Sequence, residues 1–156
     1  MEHVREYLKL DSTSPTGLVW VKSPGKKCHV GTPAFTAIAV QGYRVGRLKG
    51  KLLRAHRVIW YLAYGTIPEV IDHIDGDRLN YNLSNLRDVT CIQNSHNMSK
   101  AKGYTFNKRA GKWQAQLTVN YQHMVIGLYN TAEEARAAYL AAKKIHHPTS
   151  PINKET

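Results

Sequence analysis

The apolar residues of this chain come in short runs that alternate with polar ones, and helical spacing breaks the alternation in only three places. A period of two sends successive side chains to opposite faces of a strand, and a period near 3.6 stripes one face of a helix. Gly17-Leu18-Val19-Trp20-Val21 alternates and stops at Ser23-Pro24-Gly25. Phe35 to Val40 and Tyr43 to Leu48 predict two more strands about the turn Gln41-Gly42, and Lys49-Gly50-Lys51 is a further turn. From Arg54 to Tyr64 the apolar residues Val58, Ile59, Leu62 and Ala63 take helical spacing, with Gly65 to close the helix and Pro68 beyond it. A second helix should begin at Thr90-Cys91-Ile92-Gln93, where Thr and Gln three residues apart form a capping box.

The pattern resets after Ser99-Lys100-Ala101-Lys102, a short linker. Beyond it lie three strands, around Tyr104-Thr105-Phe106, from Lys112 to Val119 and from His123 to Tyr129, joined by tight turns. Thr131-Ala132-Glu133-Glu134 caps an alanine-rich helix running to about Lys144. The expectation is an α+β chain: residues 1–98 as a first domain, 99–102 as linker, 103–147 as a three-stranded antiparallel sheet on one helix, and 148–156 as a tail. In the sheet, Tyr104, Phe106, Trp113, Ala115, Leu117, Met124, Ile126 and Leu128 should face the helix. Thr105, Asn107, Gln114, Gln116, Thr118 and His123 should face out, with Lys108 and Arg109 at the hairpin tip.

Charge narrows the partner. The 156 residues carry 22 Lys and Arg against 11 Asp and Glu, a net +11. Nine of the cations lie between Ser12 and Pro68 with no acid among them, and no acid occurs from Gly103 to Ala132. Both halves are therefore basic, and a polyanion, double-stranded DNA above all, is the expected partner. Glu69, Asp72, Asp75 and Asp77 reverse the sign within nine residues. Carboxylates facing DNA phosphate are costly unless a cation lies between, so a metal is expected there. No apolar run approaches membrane-spanning length, the first residues have no leader-like apolar stretch, and Cys28 and Cys91 form no Cys-x-x-Cys pair. The chain is expected in a reducing cytoplasm, not secreted, with no membrane and no obligate protein partner.

The densest chemistry lies between Asp72 and Asn97 and opens with Asp72-His73-Ile74-Asp75-Gly76-Asp77. Phosphodiester hydrolysis needs a water, a base to deprotonate it and a cation for the phosphate charge. His73 is the side chain of the cluster that titrates near neutrality. Asp72 and Asn94 offer two oxygens and leave open positions, which suits Mg2+ or Mn2+. Asp75-Gly76-Asp77 reads as a turn, and Asn80 and Asn82 as turn formers. His56 begins a helix and reads as a capping or packing residue. His96 stands two residues from Asn94 as an alternative ligand, and Asn97 lies one turn on as a support.

The spacing of His73, Asn85 and Asn94, with the words His56-Arg57 and Asn85-Leu86-Arg87, resembles the HNH endonucleases in their phage homing form. The resemblance covers roughly residues 8 to 100 and implies a ββα-metal unit. It implies His73 as general base, Asp72 and Asn94 as metal ligands, and Asn85 as a clamp on the loop that orients the histidine. The third motif position is Asn where many relatives have His, which favours Mg2+ over zinc. Residues 102 to 147 resemble the ethylene-response-factor (Apetala-type) DNA-binding domain. The words that carry this are Gly111-Lys112-Trp113-x-Ala115, Gly127-Leu128-Tyr129 and Thr131-Ala132-Glu133-Glu134-Ala135-x-x-Ala138-Tyr139. That resemblance implies a sheet laid in the major groove, with Thr, Asn and Gln where arginines are usual, a change that suits adenine. The function expected is a metal-dependent homing-type endonuclease acting in the cytoplasm of a bacterial host. The alternatives are a catalytically inactive sequence-specific DNA-binding regulator and a small RNA-binding protein, the last fitting the charge but not the motif.

Overall fold

The computed structural model describes residues 1, 3–97, 101–148 and 150, which fall into two compact units, Met1–Val89 and Thr90–Thr156. Of the expected linker and tail, residues 99, 100, 149 and 151–156 lie outside the described residues.

The first unit opens with a short helix α1 (Val4–Tyr7), then the antiparallel pair β1 (Leu8–Leu10) and β2 (Leu18–Trp20). Next comes a three-stranded antiparallel sheet, ordered β3 (Ala37–Ile38), β4 (Arg44–Leu48), β5 (Lys51–Arg54). Helix α2 (Ala55–Tyr64) leads to the hairpin β6 (Val70–His73) and β7 (Leu86–Val89), with a 3₁₀ turn at Leu83–Asn85 between them. Ala55, Val58 and Ile59 form one stripe of α2 and are buried with Val4, Leu8, Leu18, Leu48, Ile71 and Leu86. Gly65 ends the helix in the left-handed region, its N–H donating to the Tyr61 carbonyl at 2.9 Å.

Local differences from the sequence reading have physical causes. The strand expected over Phe35–Val40 shrinks to two residues. Phe35 has φ 57°, which no strand tolerates, and its ring turns into the core edge-on to Trp20 at 5.9 Å. The expected turn falls at Lys49-Gly50, and the strand Lys51–Arg54 that follows it, held by its pairing to β4, was not expected because Leu52 is exposed and the segment shows no apolar alternation to read. Elements α1 and β1 are too short for periodicity, and burial of Val4, Tyr7 and Leu8 stabilises them.

The second unit holds α3 (Cys91–His96), a sheet ordered β10 (Gln122–Tyr129), β9 (Lys112–Val119), β8 (Tyr104–Asn107), and α4 (Ala132–His146). Both expected capping boxes are present and reciprocal, Thr90 with Gln93 and Thr131 with Glu134. Ala135 and Tyr139 of α4 pack on Ala115 and Leu117 of β9, with Tyr104, Trp113, Met124, Ile126 and Tyr129 around them. Gly103 has φ +74°, and a Cβ there would lie 2.1 Å from the Tyr139 ring, so the chain enters β8 where only glycine fits.

One of the expected helix-facing residues, Leu128, does not face the helix. A bulge in β10 between Val125 and Gly127 shifts the register, so Gly127 pairs with Ala115 and Tyr129 with Trp113. Leu128 then pairs with Gln114 and is 46% exposed, and Tyr129 takes its place in the core. Phe106 keeps the face of Tyr104 and Trp113 but is 48% exposed on an edge strand, its ring set against Trp113 at 5.2 Å.

Candidate active site

The β6–β7 hairpin pairs Asp72 with Arg87 and His73 with Leu86. Alternation along β6 buries Ile71 and His73 and leaves Asp72 on the other face, half-buried. There Arg87 Nε–H and Nη2–H both donate to Asp72 Oδ2, at 3.0 and 2.7 Å. The pair fixes the orientation of the carboxylate.

His73 is 4% exposed. Its ring lies 5.1 Å from that of His56 and 5.9 Å from that of Tyr43, and Tyr43 and His56 are 5.0 Å apart. His73 Nε2 is sealed from solvent and has no hydrogen-bond partner among the described residues. Burial holds the His73 pKa below the usual histidine value, against the opposing pull of the Asp72, Asp75 and Asp77 carboxylates. His56 is pushed down to about 3, first by burial and then by His73, Arg54 and Arg57. Both rings are therefore neutral at pH 7. His56 is thus a packing residue on α2, but the residue it packs on is His73.

Asn85 holds the loop between the strands. Its Nδ2 donates to Asp75 Oδ1 at 2.9 Å and to the Asn80 carbonyl at 2.8 Å, and its Oδ1 accepts from the Asp75 amide at 3.1 Å. The Asn85 carbonyl accepts from the Ile74 amide, one residue past His73. Asp75 Oδ1 also accepts from the Asp77 amide and Oδ2 from Asn80 Nδ2, so Asp75-Gly76-Asp77 is the turn expected. Burial raises the Asp75 pKa, but the hydrogen bonds from Asn80, Asn85 and Asp77 outweigh it, and the carboxyl lies below its usual range.

Asn94 is exposed on α3, in the second unit. His96, the alternative ligand, instead stacks on His147 within that unit, ring centres 3.6 Å apart and 9° from parallel. Among the described residues no three His, Cys, Asp or Glu side chains converge as a metal cage. A carboxylate oxygen such as those of Asp72 suits a hard cation that keeps most of its waters, as Mg2+ does, better than zinc.

On the outer face of the second unit, the residues expected to face out are joined in a row. Asn107 Nδ2 donates to Gln114 Oε1 at 2.9 Å, Gln114 Nε2 to Gln116 Oε1 at 3.4 Å, and Thr118 Oγ1 meets His123 Nδ1 at 3.2 Å. Thr105 pairs with Gln114 on the same face, and Lys108 and Arg109 are exposed at the β8–β9 turn. The bulge adds Leu128 to this face, and Val125 joins it by pairing with Gln116.

Residues 53–96 match the HNH endonuclease family model, spanning α2, the hairpin and α3. The chain is 31% identical over 105 residues to Protein 3.8 of Escherichia phage T7, covering 62% of this chain and 87% of that protein. The chain belongs to the family of Protein 3.8 and carries an HNH endonuclease domain. No solved structure matches it. Among the described residues no helix is long and apolar enough to cross a membrane.

Sequence reasoning missed Tyr43 beside His73 and the pairing of Arg87 with Asp72. Arg87 was legible in principle, since it stands across the hairpin from Asp72. Tyr43 was not, because only tertiary packing brings it to His73.

Proposed function

We propose that the HNH domain is a divalent-metal-dependent DNA endonuclease of homing type, and that the C-terminal sheet selects its site. The observation that carries this is the His73 ring, neutral and buried beside a loop clamped by Asn85, with an oriented Asp72 carboxylate one residue away. Asp72 and Asn94 are the residues that would hold Mg2+ or Mn2+. When bound, the ion neutralises charge on the phosphate and on the leaving oxygen.

His73 is the general base. Nε2 is sealed, so in this reading the proton is taken at Nδ1. The water oxygen forms a bond to phosphorus while the bond to the leaving ester oxygen breaks. The water's proton passes to His73 Nδ1, and the leaving oxygen keeps the electron pair and takes a proton from solvent. Burial lowers the His73 pKa, which favours the unprotonated form that a general base needs. Asn85 is a positioning residue that holds the loop next to His73.

The second unit is read as an ethylene-response-factor-like DNA-binding domain. Support comes from its three strands on one helix and the polar row Thr105, Asn107, Gln114, Gln116, Thr118 and His123, flanked by Lys108 and Arg109. A chain of this kind, similar to a phage protein, would act in the cytoplasm of a bacterial host. The test is incubation of the full chain with plasmid and phage DNA in Mg2+ or in EDTA, then mapping of the ends. Defined ends in Mg2+ alone are expected. Specific binding without any cut in Mg2+ or Mn2+ would make the protein a DNA-binding regulator instead.

A further inference from the structure

Tyr43 has a second set of neighbours. The Arg54 guanidinium carbon lies 5.1 Å from the Tyr43 ring centre, and so does that of Arg78. The same ring touches His56 and His73. Neither guanidinium can therefore be farther from the His73 ring centre than two such contact distances combined. A cation over a tyrosine ring at this range is held in place, while its N–H groups stay available for other acceptors.

Both arginines are exposed, and neither makes an ion pair among the described residues, although Asp75 and Asp77 stand in the same loop as Arg78. Arg78 Nη1 donates to the Gln41 carbonyl at 2.6 Å. Its chain runs over Gly42, whose φ is +83° and where an added Cβ would lie 3.8 Å from Arg78 Cδ. Arg54 is the N-cap residue of α2, whose first turn contains no acid. Two guanidiniums are thus anchored from different elements, beside a buried histidine, with most of their donors unspent.

We propose that Arg54 and Arg78, held on Tyr43, form a phosphodiester-binding site that grips the non-bridging oxygens of the phosphate under attack. The inference rests on the nuclease reading of His73 and adds the groups that stabilise the charge. As the water oxygen bonds to phosphorus, charge grows on the non-bridging oxygens, and fixed guanidiniums there bind the transition state better than the ground state. Tyr43 is a positioning residue: it sets both arginines relative to His73 and touches no reacting atom.

The test uses the full chain and duplex DNA, with single-turnover cleavage in Mg2+ and DNA affinity by fluorescence anisotropy in EDTA. Arg78→Ala and Arg54→Ala should each slow cleavage by about 10²-fold or more, the loss typical of a missing donor to developing charge. DNA affinity should change by less than about threefold, since one of many phosphate contacts is lost. Arg78→Lys should recover little, because an ammonium neither stacks nor forks. Lys26→Ala, the same loss of charge on an exposed loop, should leave both readouts unchanged. Tyr43→Leu should slow cleavage while the thermal midpoint stays within a few degrees. The proposal is overturned if the arginine variants cut at the wild-type rate, if rate and affinity fall in equal proportion, or if Lys26→Ala slows cleavage as much. If the wild-type chain does not cut at all, the nuclease reading fails and this site falls with it. If the wild type cuts and the variants match it, only this site falls.

Discussion

His73 and His56 show how one residue's position decides its chemistry. Both are histidines on short elements, and burial keeps both neutral, yet only His73 is joined to a carboxylate-bearing loop. His73→Ala should reduce cleavage by about 10²–10⁴-fold, because a general base acts in the transition state. DNA affinity should hold, and single-turnover rates beside anisotropy measure both. A mutant that cuts as fast as wild type removes His73 from the mechanism. His56 makes a different prediction. Its pKa is 6.5 unfolded and about 3 folded, so the unfolded chain binds the extra proton between those values. Stability is then complete above pH 6.5 and declines as pH falls toward 3, by ~1.4 kcal/mol per unit. His56→Phe keeps the ring packing and should remove about 2–3 kcal/mol of the loss between pH 6.5 and 4.5 in urea titrations. Equal pH slopes in the two proteins would show that His56 is not the source.

At the scale of elements, the β8–β10 sheet carries two kinds of polar side chain. Gln114 and Gln116 lie on β9 in a hydrogen-bonded row, where backbone pairing fixes their direction. Lys108 lies on a turn, where reach is long and orientation loose. A glutamine amide matches the donor and acceptor that adenine shows in the major groove, and a turn lysine suits phosphate. Gln116→Ala should therefore relax preference at one or two base pairs, at roughly 1–3 kcal/mol against the preferred site. Lys108→Ala should weaken all sequences alike and lower the salt slope by about one. Binding to single-base site variants at two salt concentrations tests both. The assignment fails if Gln116→Ala weakens every variant equally while Lys108→Ala reorders them. Helix α4 depends on its capping box, and Thr131→Ala should cost about 1 kcal/mol of unfolding free energy, read from chemical denaturation.

Across the whole molecule the net charge of +11 sets the reach of the interaction. If six or more cations meet phosphates, DNA affinity should fall about 10³-fold or more between roughly 50 and 200 mM salt. An affinity indifferent to salt would exclude a phosphate-driven interface. The helices α2, α3 and α4, the β8–β10 sheet and the turn at Asp75-Gly76-Asp77 after His73 were legible in the sequence. Each rests on local chemistry: apolar periodicity, capping boxes, and Gly and Asn turns. What periodicity could not supply were the effects of packing between distant segments. Phe35 abandons its strand because its ring is worth more in the core beside Trp20. A one-residue bulge exchanges Leu128 for Tyr129, since a strand's faces invert with a single step. Tyr43 reaches His73 from thirty residues away and brings Arg54 and Arg78 with it. The sequence by itself determined the elements and the residues able to do chemistry, because those depend on near-neighbour spacing. Only the tertiary structure decided which cations and rings stand beside the histidine, because burial and contact are properties of the folded chain.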